Sequence, residues 1–223
     1  TALGGEPLKF QKILKEFKNY RRQIEPYVGE TLTLLKSAMI KIVPGSINST
    51  CGLPIIPERV IAVVKAYTTR VGSGPFPTEL NNKTGELIRQ RGGEFGTTTG
   101  RPRRCGWLDA NLIRFSCELT VSTEIALTKL DILDEFKEIK VCVGYKYGGR
   151  SVNYLDGDAQ FLGKVKPEYK ILKGWQKSIK DVRRYKDLPP EAKNYIREIS
   201  SLTKIPVSMV SVGPERNQII KCN

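Results

Sequence analysis

Histidine is absent from this 223-residue chain. That omission removes every Ser-His and Cys-His nucleophile pair and every histidine-ligated metal site, leaving proton transfer to Asp, Glu, Lys or Tyr. Long hydrophobic runs are missing too. No apolar stretch approaches the roughly 18 residues of a bilayer-spanning helix, and Thr1-Ala2-Leu3-Gly4 lacks the basic-then-apolar pattern of a secretory leader. A cytoplasmic location with no membrane partner is therefore expected. The five cysteines, Cys51, Cys105, Cys117, Cys142 and Cys222, are odd in number and form no C-x-x-C pair, which argues against a disulfide framework or a zinc site. They read as reduced, mostly buried thiols. Acidic residues are scarce: 23 Asp and Glu face 37 Lys and Arg, a formal charge of +14, so the chain prefers anionic company. The basic residues are spread along the chain without the aromatic-interleaved signature of an RNA-binding sheet, so small phosphorylated ligands fit better than nucleic acid.

The length allows a sizeable core, in one large domain or two small ones. No internal repeat or low-complexity linker is visible. Phe10, Ile13, Leu14, Phe17, Tyr20 and Ile24 recur at near-helical spacing and predict an amphipathic helix over 8–24, ended by Pro26. A second helix is expected over 28–40, followed by a turn-rich section over 42–57. Val60 to Tyr67 is a β-branched, nearly continuous apolar run, as in a strand buried on both faces. Asp109 is placed to cap a helix carrying Leu112, Phe115 and Leu119, and residues 124–130 and 139–145 read as further buried strands. Pro189-Pro190-Glu191 opens a helix reaching about Leu202, and Val207 to Val212 is a strand halted by Gly213-Pro214. Alternating helices and buried strands predict an α/β fold with a mostly parallel sheet and flanking helices, treated as a single domain over 1–223. Its ligands belong where strands give way to loops.

The stretch from Gly96 to Trp107 holds three hydroxyls, three guanidinium groups and three glycines. Thr97, Thr98, Thr99 and Gly100 offer hydroxyls and open backbone N–H groups to carboxylate or phosphate oxygens, and arginine adds a planar charged fork. Pro102 fixes the turn between Arg101 and Arg103 and is expected to splay the two side chains toward different targets. The alternative is a basic surface turn. Trp107, Phe76 and Phe95 read as core packing beside this loop.

Two strand ends complete the candidate site. Asp131, just beyond the strand expected over 124–130, can accept two hydrogen bonds side by side, which matches the N1–H and 2-amino donors of guanine and not the adenine edge. Lys129 can lay its methylene stem along a base. An ordinary exposed Lys/Asp pair remains the alternative. Ser211-Val212-Gly213-Pro214 could offer backbone groups to a purine, and a plain turn explains it equally well.

Taken jointly, Val63 through Leu80, Gly93-Glu94-Phe95-Gly96 through Trp107-Leu108-Asp109, Thr128 to Asp131, Lys140 to Tyr145 and Ser211 to Pro214 closely resemble adenylosuccinate synthetase. The resemblance runs from about Tyr27 to the end. It implies a P-loop-NTPase-like synthetase fold, incomplete in this chain, and a GTP-dependent ligase that joins L-aspartate to IMP and releases GDP and phosphate. It further implies magnesium as cofactor ion, a 6-phosphoryl-IMP intermediate and a homodimer. Carried onto this sequence, Thr97, Thr98, Thr99, Gly100, Arg101, Pro102 and Arg103 resemble the aspartate-capturing loop, with Arg101 also near IMP and Arg103 near GTP. Lys129, Leu130 and Asp131 match the guanine-recognising segment. Ser211, Val212 and Gly213 match a second guanine-contacting turn, with Val212 where threonine is usual.

The departures are as informative. The family's glycine-rich phosphate loop with its catalytic aspartate occurs nowhere in the sequence, its catalytic histidine cannot exist here, and the stretch bearing its IMP-contacting glutamine is missing. No residue of this chain is therefore expected to be catalytic, and magnesium ligands are expected outside it. Residues 43–52 read as an abbreviated remnant of a longer segment. The chain is expected to be the C-terminal portion of an active ligase and inactive by itself. The rival readings are a non-catalytic guanine-nucleotide or anion-binding module and a basic nucleic-acid binder.

Overall fold

A computed structural model of the chain describes residues 57–152 and 159–222. The helices expected over 8–24 and 28–40, nearly all of the turn-rich section over 42–57, and Cys51 lie outside the described residues. The chain divides into two units, Thr1–Ile56 and Pro57–Asn223. The second unit has the expected α/β architecture.

In chain order the strands are β1 (Ile61–Lys65), β2 (Thr68–Arg70), β3 (Arg104–Gly106), β4 (Leu108–Asp109), β5 (Glu124–Thr128), β6 (Glu138–Tyr147), β7 (Arg150–Val152), β8 (Lys166–Lys173), β9 (Val207–Ser211) and β10 (Ile219–Lys221). The helices are α1 (Lys83–Gly92), α2 (Ala110–Thr120), α3 (Ala159–Leu162) and α4 (Pro190–Thr203). The main sheet has the order β1-β5-β9-β10. Its first three strands are parallel and β10 returns antiparallel to β9.

The core explains these elements. Ile125 and Leu127 of β5 and Val210 of β9 are fully buried, and α4 covers them with Tyr195, Ile196 and Ile199, an apolar stripe at helical spacing. Pro190 at the first helical position and Glu191 in the first turn start α4 as expected. The buried Tyr195 hydroxyl donates to the Ala66 carbonyl at 2.7 Å and so fixes the end of β1. Asp109 caps α2 by accepting from the Leu112 backbone N–H at 3.1 Å. Asn82 does the same for α1, accepting from Thr84 and Gly85 at 3.0 and 3.2 Å, and Gly93 closes that helix in the left-handed region at φ 59°.

Three expectations need correction. Val60 to Tyr67 is not buried on both faces: Ala62 and Val64 pack against the core, whereas Ile61 and Val63 are 39% and 74% exposed. The helix expected after Asp109 forms as α2, which turns Ala110, Ile113 and Cys117 inward and leaves Leu112 and Leu119 exposed. The strand expected over 139–145 does not join the parallel sheet. As β6 it lies parallel to the short β4 but antiparallel to β7 and β8. The turn between β6 and β7 places Gly148 and Gly149 at φ 57° and 80°, the paired positive values of a two-residue hairpin. Finally, Phe95 is 41% exposed and not core, although Trp107 is buried as expected and meets Phe136 edge-on at 5.6 Å between ring centres.

Cys105, Cys117 and Cys142 are free and buried, and Cys222 is free and half-buried. No helix among the described residues is long and apolar enough to cross a membrane.

Candidate functional site

Because β1, β5 and β9 are parallel, their carboxyl ends share one edge of the sheet, the place where such sheets bind ligands. Lys65 ends β1 and pairs in register with Thr128, the last residue of β5. Lys129 and Ser211 follow at the ends of β5 and β9.

The Thr-rich loop is a closed excursion at this edge. Phe95 bridges Pro102, the Gly96 N–H donates to the Arg101 carbonyl at 2.8 Å, and the Gly100 N–H donates to the Gly96 carbonyl at 2.8 Å. Gly100 sits at φ 63°, a conformation that disfavours a side chain. Within this clasp Thr97, Thr98, Thr99, Gly100, Arg101 and Pro102 line the turn, and all six are exposed; Gly96 before them is half-buried. Arg101 and Arg103 do take different paths. The Arg101 side chain is exposed and has no side-chain partner among the described residues, while Arg103 turns back and donates from Nη1 to Glu94 at 2.9 Å. The Arg103 Nε is buried without a hydrogen-bond partner among the described residues. The third guanidinium is structural, since Arg104 forks onto Glu79 at 2.7 and 2.5 Å and donates to the Gly72 and Gly74 carbonyls.

Glu94 is the centre of the arrangement, and its side chain is fully buried. Its Oε1 accepts from Lys65 at 2.7 Å, the Tyr67 hydroxyl at 2.6 Å and Lys129 at 3.0 Å. Its Oε2 accepts from Lys65 at 2.9 Å and Arg103 at 2.9 Å. Burial alone would raise this carboxyl, but hydrogen bonds from Lys65, Tyr67, Lys129 and Arg103 hold it down at about 2. The same burial, together with the Glu94 charge, pushes the Tyr67 hydroxyl well above its usual value and keeps it a donor.

The segment after β5 is set by its own apolar residues. Leu130, Ile132 and Leu133 are buried in a short 3-10 turn, and Lys129 just before it adopts φ 58°, rare for a residue with a side chain. The Lys129 Nζ donates to the Gly92 carbonyl at 2.5 Å as well as to Glu94. Asp131 is 6% exposed, and its carboxylate accepts from its own backbone N–H and from no other side chain among the described residues. Burial raises it, with opposing pulls from that N–H, Lys180, Arg91 and Lys129. Asp134, the other acid of this turn, is structural: it accepts from the Trp175 indole at 2.7 Å and the Ile179 N–H at 3.1 Å. At the end of β9, the Ser211 hydroxyl donates to the Gly213 carbonyl at 2.6 Å, and the Val212 N–H is taken by the Gln218 carbonyl at 3.0 Å. A Cβ on Gly213 would lie 2.2 Å from the Gln218 side chain. That side chain is itself held by the Glu215 N–H and the Lys180 carbonyl, so a larger residue at Gly213 must break those bonds.

Arg103 and Lys129 are thus brought together on one carboxylate. Leu130 and Val212 are fully buried and present no surface to a ligand. Lys65, Tyr67 and Glu94 were not assigned roles by sequence reasoning. The one local signal is a lone acid, Glu94, between Gly93 and Phe95 at the head of a basic loop. Among the described residues no group of three or more His, Cys, Asp or Glu could hold a metal ion.

A family model described as adenylosuccinate synthetase matches residues 41–220. The chain belongs to that family. It is 40% identical to the adenylosuccinate synthetase of Halothermothrix orenii over 97% of its length, which is 57% of the length of that relative. An adenylosuccinate synthetase of Clostridium botulinum (strain Eklund 17B / Type B) is 38% identical over 99% of the chain and 58% of the relative. The structure of fully ligated adenylosuccinate synthetase from Plasmodium falciparum superposes with a TM-score of 0.73 at 39% identity, covering 80% of this chain and 43% of that one. The chain therefore spans little more than half the length of the curated relatives it matches.

Proposed function

We propose that this chain forms the aspartate-loop and guanine-recognition portion of a GTP-dependent ligase that joins L-aspartate to IMP. In this reading the γ-phosphoryl group of GTP passes to the 6-oxygen of IMP, converting a poor leaving group into phosphate, and the aspartate amine then displaces that phosphate to give adenylosuccinate. The observation that carries the reading is the junction at Glu94, where the loop arginine Arg103 and the strand-end Lys129 share one carboxylate at the carboxyl edge of a parallel sheet.

Each part has a physical task. Arg101, exposed beside three threonines and a left-handed glycine, offers a fork and hydroxyl donors to a dicarboxylic amino acid and to IMP. Arg103 donates only from Nη1 to Glu94 and its side chain is 31% exposed, leaving guanidinium donors for nucleotide phosphate oxygens. Asp131, buried and without a side-chain hydrogen bond among the described residues, meets the two adjacent donors of guanine. Lys129, its ammonium tied to Glu94 and Gly92, presents its stem to the base. Ser211 and Gly213 border the base from the next strand.

In this reading no residue of the sequence given is catalytic, the catalytic aspartate and histidine that the family implies are to be supplied from elsewhere, and so are the ligands of magnesium, which would supply charge neutralisation on the phosphates when bound. We further propose a cytoplasmic homodimer that engages no nucleic acid or membrane. The absence of the glycine-rich loop and of histidine from the sequence favours one second reading, a non-catalytic guanine-nucleotide-binding module.

A purified complete protein incubated with GTP, IMP, aspartate and magnesium should give the absorbance change of adenylosuccinate formation, and the 223-residue polypeptide alone should give none. Turnover by the polypeptide alone would refute the assignment of catalytic groups elsewhere. GTP binding by a complete protein without turnover would establish the module instead.

A further inference from the structure

Glu94 is costly to bury and has no need of three cations to neutralise it. A carboxylate with no solvent exposure loses several kcal/mol of hydration unless paired, and a single lysine would restore neutrality. Lys65, Arg103 and Lys129 all converge on it, and their side chains are 28%, 31% and 36% exposed, so each keeps a wet side. Three positive charges on one negative leave a local excess of two. The cations come from three separate places: the end of β1, the base of the Thr-rich loop and the segment after β5. The backbone repeats the pattern. The Glu94 carbonyl accepts the Arg103 N–H at 2.9 Å, and the Gly92 carbonyl accepts the Lys129 ammonium at 2.5 Å.

We infer that Glu94 is a positioning residue that holds Arg103 and Lys129 at a fixed separation and so sets the aspartate loop and the guanine segment relative to each other. The inference rests on the functional reading above. Glu94 has no free edge for a substrate, since both carboxylate oxygens are occupied from within the protein. Its effect passes through its partners. A carboxamide of the same shape has one acceptor oxygen and an NH2 that repels cation donors, so Glu94→Gln must release at least one of Arg103 and Lys129 or reorient both.

The test uses the complete protein and the pair Glu94→Gln/Lys65→Met beside Glu94→Gln alone. Removing Lys65 with the anion relieves the repulsion that could unfold the single variant. The expected result is a KM for aspartate and a KM for GTP that both rise about 10-fold or more, with the KM for IMP changed less than about 2-fold. A purely structural role would lower the active fraction, and with it kcat, at unchanged KM values. That outcome would overturn the inference. Calorimetric titration of GTP and of aspartate separates this failure from that of the functional reading. A wild-type protein binding neither ligand sinks both, whereas a wild type and a Glu94→Gln/Lys65→Met pair binding both ligands equally well sinks the positioning role alone.

Discussion

The Glu94 carboxylate should make the stability of this protein depend on acid in a calculable way. Its folded-state value of about 2 lies below the usual 4.5, because hydrogen bonds from Lys65, Tyr67, Lys129 and Arg103 outweigh burial. A depressed carboxyl stabilises the fold above its unfolded value, and that stabilisation disappears as pH falls through 4.5 toward 2. At about 1.4 kcal/mol per pH unit, the full contribution at pH 7 is on the order of 3 kcal/mol. At about pH 2.5 under about 1 kcal/mol of it should remain. Urea unfolding of the wild type and of Glu94→Gln at about pH 7, 4 and 2.5 isolates the effect, since other titrating groups contribute alike to both proteins. The stability gap between them should shrink by about 2.5 kcal/mol over that range, most of it below about pH 4. A gap that changes by less than about 0.5 kcal/mol would refute the clasp and its charge pairing.

Two further substitutions address the loop and the scaffold separately. Arg101→Leu in the complete protein removes a bidentate donor worth roughly 1.5 to 3 kcal/mol, so the aspartate KM should rise by one to two orders of magnitude, measured by initial rates at saturating GTP and IMP. An unchanged aspartate dependence would reject the role of the loop. Tyr195→Phe leaves the Ala66 carbonyl without its buried donor and should cost about 1 to 3 kcal/mol in denaturant unfolding, while a loss near zero would show that α4 does not fix the end of β1 through this bond.

The elements legible in the sequence were those with local signals. Asp109 caps α2 and Pro190 opens α4 because capping and proline geometry are decided within a few residues. The apolar runs over 60–67, 124–130 and 207–212 do form adjacent parallel strands, each shorter than its run. Burial was less legible, because Val63, Leu112 and Phe95 are apolar in sequence yet their exposure depends on what packs against them. The helix α1 carries its cap signals in Asn82 and Gly93, but it is rich in charged residues and only Gly85 and Ile88 are buried, so its apolar period is faint. The loop and both strand ends were legible as separate pieces. Their meeting point was not, since Glu94 reaches Lys65 across 29 positions and Lys129 across 35, and no sequence period joins such partners. The same holds for Arg104, which looks like a third ligand arginine until its fork closes on Glu79.

The central claim is that a cationic, hydroxyl-rich loop and a buried acid act on one nucleotide site whose base Asp131 selects. Calorimetric affinities of the complete protein for GTP and ATP, wild type against Asp131→Asn, test it most directly. The wild type should prefer GTP, and the variant, whose amide keeps one acceptor and gains a donor, should lose about 10- to 100-fold of that preference with ATP binding little changed. An undiminished preference for GTP in Asp131→Asn would contradict the account.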